Sequence, residues 1–182
     1  MTKVIALIVA GGSGSRFGAN IPKQYTASIL TRTIKAFLSS TLIDGIQVVI
    51  RPEDIELYNQ AVKGLELLSP VFGGGSRGES VRNGLNEIEK YKPDLVLVHD
   101  ANRPYLSVKL INEIINKLKL NPGYGVVPSM PIVDTVRRLN ESGDELIKRD
   151  NLVTIQTPQG FYFQDLWSIY KYQESEFIKS EK

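Results

Sequence analysis

The residues best suited to chemistry lie near the start of the chain, where an apolar run leads into a glycine-rich loop. Gly11, Gly12 and Gly14 would let the backbone approach a ligand closely and point its N–H groups at that ligand. Arg16 and Lys23 follow at short spacing and would offset several negatively charged oxygens. This combination predicts a site for a polyphosphate, most simply a nucleoside triphosphate.

The loop matches neither of the two common glycine signatures for nucleotides. A P-loop needs Lys and then Ser or Thr after its second glycine, but Ala19 follows Gly18. A dinucleotide fingerprint that begins at Gly12 would need a third glycine where Phe17 stands. The alternative is a strand-to-helix turn made of small residues, and the two cations at fixed offsets count against that alternative.

A second glycine-rich stretch, Gly73–Ser80, offers another flexible backbone segment. Ser76 and Glu79 form a capping-box pattern, which predicts that a helix begins here. The N–H groups and dipole of a helix N-terminus suit a polar ring or an anion. An ordinary capped loop is the alternative interpretation, because Ser76 and Glu79 already have that structural role.

An apolar run at 95–98 ends in His99, Asp100 and, three residues on, Arg103. A carboxylate directly after a buried parallel strand is a typical ligand for Mg²⁺, which also binds substrate phosphates. We therefore expect Asp100 to bind a metal, with a turn cap as the alternative. The favoured role for His99 is a hydrogen bond to the backbone that positions the loop, rather than acid–base catalysis.

A third polar cluster contains Thr135, Arg137, Arg138 and Arg149. Exposed Arg residues on a hairpin are usually solvated. Next to a phosphate, however, Arg can form a bidentate clamp, and a Thr hydroxyl can donate to the same oxygens. The residue types alone leave these alternatives open.

Composition limits the classes of function. The chain has 182 residues, a formal net charge of +2 and no cysteine, so we expect one domain without disulfides or thiolate metal sites. The charges are interspersed, which argues against nucleic acid or an anionic membrane as partner. No apolar run reaches about eighteen residues, and the interrupted N-terminal run does not fit a signal peptide. We expect a soluble, cytoplasmic protein.

Short apolar runs alternate with helical patterns along the chain. Strands are predicted at Val4–Val9, Gln47–Ile50, Leu95–His99 and Gly125–Pro128. Helices are predicted at Ile29–Leu38, at Pro52–Val62, after Ser76, and from Ser107 to Asn121. This alternation predicts an α/β fold with a mostly parallel sheet flanked by helices on both faces. Ligands then bind at the carboxyl ends of the strands.

The pattern changes after Pro128. Val133–Arg138 and Leu152–Gln156 are predicted strands, and the polar segment NESGDEL lies between them. These features predict a protruding hairpin arm at about 133–156. Such an arm is either a surface excursion or a dimerisation element, because an isolated two-stranded ribbon is marginally stable alone.

Six separated motifs resemble those of the 2-C-methyl-D-erythritol 4-phosphate cytidylyltransferases. They are AGGSGSRFG, PKQY, GGSRGESV, HDANRP, VDT and RDNLVTIQTPQGF, in this order. The resemblance covers nearly the whole chain, and implies that residues 1–182 are one cytidylyltransferase domain with a Rossmann-like, glycosyltransferase-A-like fold. Ribitol 5-phosphate cytidylyltransferases share much of the set, so that substrate is an alternative. The RDNL segment favours the isoprenoid enzymes.

The resemblance also implies a role for each matching residue in a nucleotide site. The family positions that hold cytosine correspond here to Ala10, Gly11, Gly74, Gly75 and Ser80. Gly12 and Ala101 match positions that face the ribose.

The remaining matches imply the catalytic and substrate groups. Arg16 and Lys23 match the cations that stabilise charge on the α-phosphorus of CTP, and Asp100 matches the Mg²⁺ ligand. Thr135 and Arg149 match groups that bind the phosphate of the sugar alcohol from the arm of a second subunit, which implies a homodimer. Arg103 is expected to support the loop and the phosphates.

The sequence departs from the family pattern in two places. About four residues fewer separate PKQY from the following helix, and no T-D-[DE]-A or N-x-K-x-T segment occurs before Lys182. We expect that residues are missing from the chain, or that it belongs to a fusion with a cyclodiphosphate synthase. A nucleotide-binding module without catalysis is the alternative from another class.

Overall fold

The computed structural model describes residues 2–12, 22–140 and 143–180. The strands are β1 (Val4–Val9), β2 (Gly45–Ile50), β3 (Val71–Phe72), β4 (Leu95–Asp100), β5 (Ser129–Pro131), β6 (Val136–Asn140), β7 (Gly143–Ile147), β8 (Val153–Ile155) and β9 (Gln159–Tyr162). The α-helices are α1 (Ile29–Leu38), α2 (Ile55–Ala61), α3 (Arg77–Ile88), α4 (Val108–Leu120) and α5 (Phe163–Ser180). Short 3-10 turns cover Lys23–Ser28, Pro52–Asp54 and Glu89–Tyr91.

The central sheet has five strands in the order β3-β2-β1-β4-β9. The first four are parallel, and β9 runs antiparallel to β4 at one edge. The predicted mostly parallel sheet is therefore confirmed. Its inner strands are almost entirely buried, as their continuous apolar sequences require when helices cover both faces.

Alternate residues of β1 point to opposite faces of the sheet and enter two separate cores. Ala6 and Ile8 belong to the larger cluster, which includes apolar residues of α1, α2 and α4. Ile5 and Leu7 belong to the second cluster, which includes those of α3 and α5. Because both faces are packed, functional groups that approach a ligand have to come from the ends of the strands.

The predicted N-caps of two helices, α3 and α4, are confirmed. Ser76 accepts a hydrogen bond from the N–H of Glu79 at 3.1 Å, and the Glu79 carboxylate accepts one from the N–H of Ser76 at 3.1 Å. Ser107 accepts from the N–H of Leu110 at 3.2 Å at the start of α4. These caps fix where α3 and α4 leave the sheet edge.

The predicted strand at Gly125–Pro128 is wrong. Only Val126 pairs in this segment, through a single bridge to Gly160. The position beside β4 is taken by β9, a segment for which the sequence analysis predicted no strand, so the 125–128 segment lies outside the sheet. A short apolar run in the sequence does not show which of two segments pairs with the edge strand of a sheet.

The predicted arm is present as a hairpin, but its strand pairing is different. β6 pairs with β7, whereas β8 pairs with β5 in a separate ribbon. Residues Asp144, Glu145 and Leu146, predicted as loop, belong to β7. Asn140 pairs directly with Gly143. Because so few residues connect β6 to β7, the two strands form a tight hairpin.

None of the helices within the described residues is long and apolar enough to cross a membrane.

Candidate active site

Three loops meet at the carboxyl edge of the parallel sheet, as strand order requires. The N–H of Ala10 donates to Val49 O at 2.7 Å, and the N–H of Ala101 donates to Val9 O at 3.0 Å. The N–H of Gly73 donates to Ile50 O at 2.8 Å. These bonds extend the ladders past the strand ends and bring the loops at 10–12, 73–76 and 100–103 to one edge.

Ser80 lies where the two glycine-rich loops approach each other. Its buried hydroxyl donates to Ser76 O at 2.9 Å and accepts from the N–H of Gly74 at 3.2 Å. A Cβ on Gly73 would lie 2.6 Å from Ser80 Oγ, and one on Gly11 would lie 3.2 Å from the same atom. The structure therefore brings Gly11, Gly74 and Ser80 together, and the loops approach this closely because glycine has no side chain.

Glu79 closes the back of the second loop. A Cβ on Gly74 would lie 2.4 Å from Glu79 Cβ, and one on Gly75 would lie 3.3 Å from a Glu79 carboxylate oxygen. The capping box thus holds the loop flat against the first turn of α3. Gly74 and Gly75 remain open on the solvent side, where a planar ring could lie against their backbone.

Asp100 lies between two arginines at the end of β4. Its Oδ1 accepts from Arg77 Nε at 3.0 Å, and its Oδ2 forms an ion pair with Arg103 Nε at 3.4 Å. The Asp100 side chain is 26% exposed. A carboxylate oxygen can accept more than one contact, so the partly exposed group fits the oxygen-donor chemistry of Mg²⁺.

Arg77 was missed in the sequence analysis. Its guanidinium reaches Asp100 from the first turn of α3, and so joins the second glycine-rich loop to the carboxylate. The available signal was an Arg directly after the capping Ser76 in a segment already assigned to the site. Arginine is common enough on helix surfaces that this signal is weak without the fold.

His99 makes the positioning contacts that the sequence analysis favoured. Nε2 donates to Arg103 O at 3.1 Å, which leaves Nδ1 to accept from the Thr157 hydroxyl at 2.9 Å. Thr157 Oγ1 accepts in turn from the N–H of Asp100 at 3.4 Å. Burial lowers the pKa of His99 to about 4, so the ring is neutral near pH 7.

Arg103 connects this loop to the chain that returns from the arm, because its guanidinium donates to the side chain of Gln156. Arg149 donates to Val133 O, and this contact places it near Thr135 at the base of the hairpin. Thr135 and Arg149 are both exposed. Among the described residues, no hydrogen bond or ion pair joins Thr135 or Arg149 to Asp100.

Gln24 was also missed. It is 5% exposed, and its Nε2 donates to Ala10 O at 2.8 Å and to Gly12 O at 3.1 Å. Gly14 and Arg16 lie outside the described residues. Lys23 is the first residue of the turn Lys23–Ser28, and its side chain lies outside the description.

The fold and the site define a class of protein. A parallel sheet with two glycine-rich loops and a cation-flanked carboxylate at its carboxyl edge is typical of α/β proteins that bind nucleotides. Residues 4–180 match the family model for 2-C-methyl-D-erythritol 4-phosphate cytidylyltransferase, IspD. The chain belongs to this family.

Similar proteins agree with that assignment. The bifunctional enzyme IspD/IspF of Paramagnetospirillum magneticum is 39% identical over 171 residues, which cover 91% of this chain and 44% of that protein. The bifunctional enzyme IspD/IspF of Wolbachia pipientis is 41% identical over 177 residues, which cover 93% and 45%. The chain thus spans less than half the length of these relatives.

Solved structures share the fold. The 2-C-methyl-D-erythritol 4-phosphate cytidylyltransferase of Francisella tularensis has a TM-score of 0.79 and 27% identity, and the match covers 100% of this chain and 82% of that one. The bifunctional IspDF of Campylobacter jejuni has a TM-score of 0.74 at 23% identity, covering 93% and 43%. That second likeness supports the fold alone.

Proposed function

We propose that the protein transfers a cytidylyl group from CTP to 2-C-methyl-D-erythritol 4-phosphate, giving 4-diphosphocytidyl-2-C-methyl-D-erythritol and pyrophosphate. Family membership over residues 4–180 supports this reaction. The observation that carries it is that the Gly11 and Gly74 loops meet at Ser80, at the same sheet edge as Asp100. In this proposal residues 1–182 form one cytidylyltransferase domain.

The nucleotide would lie across the two glycine-rich loops. Ala10, Gly11, Gly74, Gly75 and Ser80 would hold the cytosine, as the family resemblance implies. Gly11, Gly74 and Gly75 leave backbone open to a ligand because glycine has no side chain, whereas Ala10 and Ser80 are buried beside them. Gly12 and Ala101 would face the ribose. Gly14 and Arg16 would extend the site toward the triphosphate, as the family resemblance implies.

Asp100 would hold Mg²⁺, with the triphosphate supplying further oxygen ligands. The bound ion would neutralise charge on the phosphates. Arg77 and Arg103 already flank the carboxylate, so they stand close enough to add positive charge beside the same phosphates. Lys23 and Arg16 would stabilise the charge that develops at the α-phosphorus.

The reaction needs little proton chemistry. A phosphate oxygen of the sugar alcohol attacks the α-phosphorus, and the bond from that phosphorus to the bridging oxygen of the leaving pyrophosphate breaks. A phosphate monoester is already anionic at neutral pH, so the site mainly has to align the groups and neutralise their charge. A neutral, fully hydrogen-bonded His99 is consistent with that requirement.

We propose that the sugar phosphate binds to Thr135 and Arg149 from the arm of a second subunit in a homodimer. Leu139 and Leu146 are 83% and 64% exposed on one face of the arm, and such apolar surface on a ribbon favours a partner. The absence of cysteine is compatible with a cytoplasmic location, which we propose for the protein.

The test is pyrophosphate release by the full-length gene product, with CTP, Mg²⁺ and either 2-C-methyl-D-erythritol 4-phosphate or ribitol 5-phosphate. We expect release with the first substrate and much less with the second. Asp100→Asn keeps the side-chain shape but removes the charge, so release should fall sharply. CTP binding without release from either substrate would instead support a nucleotide-binding module and overturn the proposed reaction.

A further inference from the structure

We propose that Gln24 is a positioning residue that holds the nucleotide loop and Lys23 in a fixed relation. The inference rests on the proposed function, since it assigns the loop and Lys23 to the CTP site. Gln24 touches neither substrate in this proposal, and acts through the backbone of Ala10–Gly12.

The contacts of Gln24 use both hydrogens of its amide group. One hydrogen goes to Ala10 O at 2.8 Å and the other to Gly12 O at 3.1 Å. The side chain is 5% exposed, so water cannot easily replace either bond. Loss of the donor would leave a buried carbonyl oxygen unpaired, which is costly enough to move the loop.

These bonds decide which groups the loop can offer to a ligand. In a trans peptide the N–H points opposite to the C=O. Because Gln24 binds the carbonyl of Ala10, the N–H of Gly11 points to the other side of the loop. The arrangement turns oxygen atoms away from an anion and leaves a donor for it, as an anion-binding loop requires.

The same residue fixes the backbone that carries Lys23. Gln24 follows Lys23 directly, and the next residue, Tyr25, packs against the larger core. The N–H of Tyr25 also donates to Pro22 O at 2.9 Å. Gln24 therefore anchors the turn to the nucleotide loop and Tyr25 anchors it to the core, directly after Lys23.

The chain offers a matched control in Gln47 of β2. Gln47 is fully buried, and its Nε2 also donates to two backbone carbonyls, Ser69 O at 2.7 Å and Val48 O at 3.3 Å. It contacts none of the site loops through these bonds. Gln24→Met and Gln47→Met thus remove equivalent donors and keep similar side-chain volumes, but only the first change affects the site.

The experiment compares steady-state kinetics and CTP binding for both variants, at a temperature where thermal unfolding shows each to be folded. We expect Gln24→Met to lower kcat/KM for CTP by at least about tenfold, since small misplacements of catalytic groups can cost about 100-fold. Gln47→Met should lose stability with little change in kcat/KM. Equal kinetic losses in the two variants would overturn the positioning role.

A second variant keeps the test decisive if Gln24→Met does not fold. Gln24→Asn keeps the amide but shortens its reach, so we expect an intermediate kinetic loss, and wild-type kinetics would contradict the inference. CTP binding separates this inference from the proposed function. If the wild-type protein binds CTP but releases no pyrophosphate, the reaction fails, whereas weaker CTP binding by the Gln24 variants than by Gln47→Met still supports the positioning role.

Discussion

The carboxyl edge of the parallel sheet, where we place the nucleotide and which we call the nucleotide edge, is held by buried hydrogen bonds. The arm, in contrast, is held by exposed contacts. At the edge, Gln24, Ser80 and His99 are all at least 95% buried, and each satisfies backbone or side-chain partners. In the arm, β6 and β7 are almost entirely exposed and carry charged pairs on both faces.

The contrast shows which half of the proposed site one chain can organise alone. Buried hydrogen bonds hold one geometry because their loss has a large free-energy cost. Exposed ion pairs contribute little, so the arm has weak internal restraints. We infer that the nucleotide half is formed within one chain, whereas the geometry of the arm depends on what packs against it.

The largest expected effect is on kcat, and it distinguishes a substitution at the nucleotide edge from one in the arm. Lys23→Ala should lower kcat by about 10²- to 10³-fold with a smaller change in CTP affinity, because its charge would act mainly in the transition state. Arg149→Ala should raise KM for the sugar phosphate and leave CTP affinity unchanged. Steady-state kinetics and CTP titration measure both; equal losses of kcat and CTP affinity in Lys23→Ala would contradict the transition-state role.

Mixing these two variants, at a sugar-phosphate concentration where each has little activity alone, provides the control for an arm that acts on the other subunit. If Arg149 serves the partner's site, a mixed dimer contains one intact site, and an equal mixture regains about a quarter of wild-type activity. An active mixture is possible only if the subunits exchange. If the mixture stays inactive after unfolding and refolding together, Arg149 does not act in trans.

The next effect concerns pH and the nucleotide edge. Burial lowers the pKa of His99 to about 4 from an ordinary value near 6.5, so the unfolded chain binds the proton more readily. The contribution of His99 to the free energy of unfolding is therefore fully present above about pH 6.5. It is lost as the pH drops toward 4, and the total loss is roughly 3 kcal/mol. Urea unfolding between pH 4 and 7 measures this loss.

His99→Gln supplies the control for that pH dependence, because glutamine does not titrate. The variant should be less stable at pH 7, where it loses the fit of the imidazole between Arg103 O and Thr157. Its stability should then vary less between pH 6.5 and 4 than that of the wild-type protein. The same pH slope in both proteins would show that His99 is not the titrating group.

A smaller effect tests how closely α3 packs on the sheet. A Cβ on Gly84 would lie 2.4 Å from Leu7 Cδ1 and 2.9 Å from Val49 Cγ2, so Gly84→Ala should destabilise the protein by about 1–3 kcal/mol. On the same helix, a Cβ on Gly78 meets only Ser76 Oγ, at 3.8 Å. Gly78→Ala should be neutral or stabilising by up to about 1 kcal/mol. Urea unfolding of both variants decides this, and equal effects would contradict the close packing.

The sequence predicted the inner sheet well because its signals are strong and local. Val4–Val9 matches β1, and Ile29–Leu38 matches α1, at both ends. The capping box at Ser76 placed the start of α3. In these segments, burial on both faces or a specific cap leaves one solution, and that solution is visible in residue types.

The remaining errors came from competition between distant segments. Gly125–Pro128 and β9 could each have paired with β4, and only tertiary packing decided in favour of β9. Arg77 and Gln24 were missed for the same reason, because their partners Asp100 and Ala10 lie 23 and 14 residues away in sequence. Motifs named the loops of the site but not the side chains that hold those loops together.

The smallest expected effect tests the arm's weak internal restraints. Arg138 and Glu145 lie opposite each other and form an ion pair of 3.2 Å, with side chains 63% and 55% exposed. A double-mutant cycle with Arg138→Ala and Glu145→Ala should give a coupling free energy below about 1 kcal/mol, which decreases further in high salt. Urea unfolding measures this coupling. A larger, salt-independent value would show that the arm is organised by its own contacts, and the contrast with the nucleotide edge would no longer hold.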